Sequence, residues 1–169
     1  AGAGVLRGRS MPDLAFLIGS HLTYHVGAHR LLLSYPSIDE LAGCFLAAVS
    51  LVRPAIPIPP ALEEAARALA TELDTRVQGP ERDRLHAAVL AFEEAGARAD
   101  LAHWAGAVER CAARTGYLLS GDLAVAVRLI RAESTGLLAP EETIGDLYAF
   151  TVSDAFHALR TELGIAIQP

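Results

Sequence analysis

Apolar residues recur at helical spacing along most of this chain, and no stretch alternates convincingly enough to be a strand. Leu14 to about Leu33 is the first such run, opened by Pro12-Asp13 and broken by Tyr35-Pro36-Ser37. Ser37, with Glu40 three residues on, makes a capping box. An almost wholly apolar helix follows from Ile38 to Val52, and the pattern places its Leu41, Phe45, Leu46 and Val49 in the middle of the core. Arg53 to Pro60 has four prolines in eight residues and reads as an extended connector whose isoleucines dock on the core. Further helices are predicted over Ala61–Arg76, Pro80–Ala95, Leu101–Leu119 and Leu123–Ala132, and from Pro140 to Leu163 with a bend near Thr151. The expectation is an all-α protein: a compact orthogonal bundle of about seven helices with no substantial sheet. Residues 1–13 are expected as a flexible N-terminal segment, and 14–169 as a single helical domain.

Composition narrows the function classes. A chain of 169 residues can bury roughly 70% of the surface its unfolded form exposes. All fourteen basic residues are arginine, and there is no lysine or asparagine, which reads as high-GC codon bias and not as a nucleic-acid signal. The net charge is −6, without a basic cluster, so a nucleic-acid surface is not expected. The longest apolar run, Leu41 to Val52, is too short to span a bilayer. No signal peptide is legible, and Cys44 and Cys111 sit in apolar surroundings, as two reduced, buried thiols of a cytoplasmic protein would. The chain begins at Ala1 instead of Met, and a piece of a longer polypeptide is the expectation.

Candidate chemistry concentrates in two places. His21, His25 and His29 recur every fourth residue, a spacing that stacks side chains on nearly one helix face. Two imidazoles so placed can hold one metal ion, as in an H-E-x-x-H helix, but Leu22 stands where that motif has its glutamate base. The second place is Ala107-Val-Glu-Arg-Cys-Ala-Ala-Arg-Thr-Gly116, followed by Tyr117-Leu-Leu-Ser-Gly-Asp-Leu123. Together with Phe16-Leu-Ile-Gly19, these segments resemble the zinc metallopeptidases that include the HtpX heat-shock protease and the CAAX prenyl proteases. There G-H-E-x-x-H lies on one helix, and E-x-x-x-D-R-x-G on a later helix supplies the third zinc ligand. The chain also resembles uncharacterised C-terminal domains of large bacterial helical-repeat proteins.

The resemblance covers residues 14–35 and 105–131. It implies that Glu109 stands at the third-ligand position, with Arg114 and Gly116 matching and Ala113 in place of the aspartate. Two registers are open on the first helix. Aligned without a gap on Gly19, the motif falls on Ser20 to Tyr24, and both histidine ligands and the base are gone. Aligned on the histidines, His21 and His25 survive as ligands, but the base is Leu22. The ungapped register keeps the glycine and the apolar pattern.

The resemblance thus implies a pseudo-peptidase: a non-catalytic protein-interaction or structural domain with no catalytic residue and no cofactor, working as part of a larger polypeptide or assembly. Its partner would be a protein, either a second copy or the rest of its own polypeptide. The candidate interaction surface is Tyr24, His25 and Tyr35 with Ile56 and Ile58 of the connector. One alternative is a metal-binding domain or weak metal-dependent hydrolase holding zinc through His21, His25 and Glu109, with His103 as a further candidate. A helical oligomerisation module unrelated to peptidases is the other.

Overall fold

The computed structural model describes residues 8–133 and 136–165, with the side chain of Glu133 left aside. Nine α-helices and no strand occur among the described residues, so the protein is all-α. They are α1 (Met11–Thr23), α2 (Leu31–Ser34), α3 (Ile38–Ser50), α4 (Pro60–Arg76), α5 (Pro80–Glu94), α6 (Leu101–Ser120), α7 (Leu123–Glu133), α8 (Pro140–Thr151) and α9 (Asp154–Glu162). The count exceeds seven because two expected helices are each divided. The run expected to reach Leu33 ends at Thr23, turns through Tyr24 to Val26, and passes into a 3₁₀ turn at Gly27–Arg30 before α2. Gly27 has φ +50°, a left-handed conformation that glycine adopts without a Cβ penalty. The last helical region divides at Ser153, whose hydroxyl accepts from the Phe156 amide (3.2 Å) and starts α9.

Local start signals are realised in detail. The Ser37 amide donates to Glu40 Oε2 (3.0 Å), and the Glu40 amide donates to Ser37 Oγ (3.2 Å), the capping box expected there. A second box sits at Ser10 and Asp13, so α1 begins earlier than Pro12-Asp13 suggests. Of the segment expected to be flexible, residues 1–7 lie outside the described residues. Asp13 itself is buried and ion-paired with Arg128.

The chain divides into two compact units. The first joins the segment up to Arg30 to the segment from Trp104 onward; the second is Leu31–His103. The first unit holds a buried apolar cluster that includes Phe16, Tyr117, Leu129, Ile144, Leu147, Phe150 and Phe156. Tyr117 stacks on Phe156 (ring centroids 5.0 Å apart), and Phe150 meets Phe156 edge-on at 5.3 Å. Arg114 lies over the Phe150 ring and donates twice to Asp146, at 2.8 and 2.6 Å.

The second unit packs α3 against α4 and α5. Leu41, Ala47, Val49, Ala66 and Val89 are its buried centre, while Phe45 and Leu46 are only half-buried. The expectation that Phe45 and Leu46 would sit mid-core is therefore corrected. Phe45 instead meets Phe92 edge-on at 5.5 Å, on the flank of the unit. No single helix among the described residues is long and apolar enough to cross a membrane.

Candidate functional site

The site begins with two glycines. In the first unit α1 and α6 approach so closely at Gly19 and Gly116 that neither position has room for a side chain. A Cβ on Gly19 would lie 3.0 Å from the Gly116 Cα, and one on Gly116 would lie 2.7 Å from the Phe16 carbonyl oxygen. Small residues at a helix crossing let backbones pack directly, which fixes the facing of both helices.

Fixing that facing opens a cleft of about 240 Å³. Its walls include Phe16, Ser20 and Tyr24 from the α1 side, Glu109, Ala112 and Ala113 from α6, and Leu129, Gly136 and Thr143 beyond them. Ser20 and Tyr24 are four residues apart and share a helix face. They are the positions at which the ungapped register would have placed the two histidines of H-E-x-x-H.

Each polar group of the cleft has a definite setting. The Glu109 carboxylate accepts from the amides of Leu137 (2.6 Å to Oε1) and Leu138 (2.8 Å to Oε2). Gly136 makes this possible, because a Cβ there would lie 2.8 Å from the Glu109 Cδ. The acceptor is thus satisfied by the backbone leading into α8. Tyr24 is half-buried, and its phenol is held above its ordinary pKa, first by desolvation and then by the negative charge of Glu109. It is therefore neutral and able to donate at any physiological pH. The Ser20 hydroxyl oxygen is buried without a hydrogen-bond partner among the described residues. A buried hydroxyl in that state is an unmet polar group facing a cavity. The cleft thus offers a hydroxyl, a phenol and an amide-bound carboxylate between apolar walls.

The histidines lie elsewhere. His21 lies in the last turn of α1 and His25 follows its C-cap, Tyr24; both rings are exposed, with their Nε2 atoms 3.2 Å apart. His29 turns to the Thr23 carbonyl (3.1 Å from Nδ1) and lies edge-on to Trp104 at 6.3 Å. His103 is exposed. Among the described residues no three of His, Cys, Asp and Glu converge as a metal site, so His21, His25 and Glu109 are not brought together as one ligand set.

The remaining candidates are placed as follows. Tyr35 is half-buried beside Cys44, whose thiol burial pushes up in pKa and the Tyr35 hydroxyl pulls back down. Cys111 is exposed, contrary to the expectation of two buried thiols, because α6 turns Ala112, Ala113 and Gly116 inward. Ile56 and Ile58 are half-buried in the proline-rich connector, as expected for residues docking on their own unit. Ile56 also lines a hollow with Val49, Val89 and Phe92.

Sequence reasoning missed an apolar stripe on α1 and the turn after it. Met11, Ile18, Leu22 and Val26 are all more than half exposed. Their seven- and four-residue spacing is the signal that could have found them. Compared with known protein families, with curated proteins and with solved structures, the chain matches none.

Proposed function

We propose that this protein is a metallopeptidase-like core without its catalysis, serving as a structural or protein-binding module of a larger bacterial cytoplasmic polypeptide or assembly. The reading is carried by one observation: Ser20 and Tyr24, the ungapped counterparts of the peptidase histidines, face Glu109, the counterpart of the third ligand, across a single cleft. The Gly19–Gly116 contact supports the same register, since both glycines belong to the matched motifs. A hydroxyl and a phenol are poor zinc ligands beside imidazole and thiolate, and in this register the base position falls to His21, whose exposed ring does not line the cleft. The exposed Ile18, Leu22 and Val26 give such a module an apolar surface for its partner.

Untagged protein, dialysed against a weak chelator, tests the catalytic half. Far less than one zinc per chain and no peptidase activity are expected. A tightly held zinc lost in Glu109→Gln would overturn the reading. Light scattering and pull-down with flanking polypeptide test the contact half. Self-association or capture of flanking segments, weakened in Leu22→Ser, is expected; a strict monomer that captures nothing would overturn it.

A further inference from the structure

The paired imidazoles at the end of α1 serve neither the cleft nor the core. Both rings are exposed, and they stand edge to face at 75° with centroids 4.9 Å apart. Their Nε2 atoms approach to 3.2 Å. Two metal–nitrogen bonds of about 2.0–2.1 Å, opened to a near-tetrahedral angle, put their donor atoms roughly 3.4 Å apart, and a right angle puts them about 2.9 Å apart. The observed separation falls between the two, so the spacing of the two nitrogens suits a single bridging ion.

We infer that His21 and His25 form a surface chelate for a divalent transition metal. Imidazole pairs suit Cu²⁺, Ni²⁺ and Zn²⁺, in the affinity order Cu²⁺ above Ni²⁺ and Cu²⁺ above Zn²⁺. Solvent completes the coordination, because no third His, Cys, Asp or Glu converges on the pair among the described residues. The chelate is distinct from the cleft: neither histidine lines it, and the side chains from α1 that do are Phe16, Leu17 and Ser20, with Tyr24 beyond its end. The last turn of α1 supplies one ligand, and the turn that follows supplies the other. Bound metal therefore ties the helix end to the chain leaving it, where backbone bonds run only three residues, from His25 to Leu22 and from Val26 to Thr23. An ion that binds only the folded state raises its stability by RT ln(1 + c/Kd), with c the free ion concentration.

The test is titration of untagged full chain with Cu²⁺, Ni²⁺ and Zn²⁺, each alone, by calorimetry, with Zn²⁺ also followed through the histidine ring NMR signals. One ion per chain, a raised Tm, and Zn²⁺-induced shifts confined to His21 and His25 are expected. His21→Ala and His25→Ala should each weaken Cu²⁺ at least tenfold. His86→Ala and His103→Ala, at other exposed histidines, should leave it unchanged. Binding unaffected by either His21→Ala or His25→Ala would overturn the inference, as would shifts at the other histidines alone. Loss of binding in Glu109→Gln with His21 and His25 unshifted would place the ion in the cleft instead, and would sink the non-catalytic reading and not merely this one.

Discussion

Around Leu129 and Leu147 the first unit encloses large side chains, whereas the most buried positions of the second unit, Ala47 and Ala66, are alanines. Both units are helical, and both are capped by similar signals. They differ in the size of the side chains they bury completely: Leu129, Ile144 and Leu147 in the first unit, alanines in the second. Tyr117, Phe150 and Phe156 stack within one cluster. The second unit has one aromatic pair, Phe45 with Phe92, and both of its rings remain half-exposed. Since stabilisation follows buried apolar area at about 25 cal/mol per Å², alanine contacts hold helices near each other while contributing little apiece. The second unit adds ion pairs at its solvated surface, Arg53–Glu93, Arg82–Asp74 and Arg67–Glu63, where water and salt screen the attraction and leave little net stabilisation. Helical content alone is thus a poor guide to where this protein is strong.

The contrast can be broken most decisively at Leu147. Leu147→Ala empties a site with no exposure and should cost about 3–4 kcal/mol in urea unfolding followed by circular dichroism. A loss below about 1 kcal/mol, typical of surface positions, would deny the first unit its large core. Next is Gly116→Ala, which drives a Cβ against the Phe16 carbonyl and should cost about 2–3 kcal/mol. The variant should also disturb the cleft, visible as an altered high-pH titration of Tyr24. Unchanged stability there would mean that the two helices can separate freely.

Phe45→Ala sharpens the comparison from the other side. A half-buried ring with one edge-to-face partner should cost about 1–2 kcal/mol, less than truncation of a fully buried aromatic. Equal costs at Phe45 and Leu147 would erase the distinction between the units. Acid should act on the first unit through Asp13. Its carboxyl is held below the ordinary value, chiefly by the Ser10 amide and also by Arg128, against the opposing effect of burial. The fold therefore favours the ionised form; that stabilisation is present above about pH 4 and is lost as pH falls below it. Asp13→Asn should flatten this acid limb, and an identical limb in the variant would remove Asp13 as its cause. The smallest effect is expected at Arg67, which is exposed beside Glu63 on α4. Arg67→Ala should change stability by less than about 0.5 kcal/mol, and more would show that ion pairs do hold the second unit.

Much of this was legible in local sequence. Ser37 with Glu40, Pro80 after Gly79, and Asp122 before Leu123 each announce a helix, since caps and prolines act within a few residues. All-α character followed from apolar spacing without strand alternation. The pairing of Gly19 and Gly116 could be suspected only from the motifs that contain them, because a glycine in a helix does not state what approaches it. The bend at Tyr24 was blurred, since the apolar pattern continues through it, whereas the break at Ser153 falls beside the bend expected near Thr151.

Sequence determined the helices, their starts, and the short list of polar residues able to face a cleft. Only the tertiary structure decided which side of α1 turns inward. Its apolar residues surround the axis, so periodicity cannot choose between Phe16, which is buried, and Ile18 or Leu22, which are exposed. That choice places Ser20 and Tyr24 opposite Glu109 and leaves His21 and His25 outside. It is made by the close approach of Gly19 to Gly116. Such an approach depends on residues nearly a hundred positions apart, which no local pattern can encode.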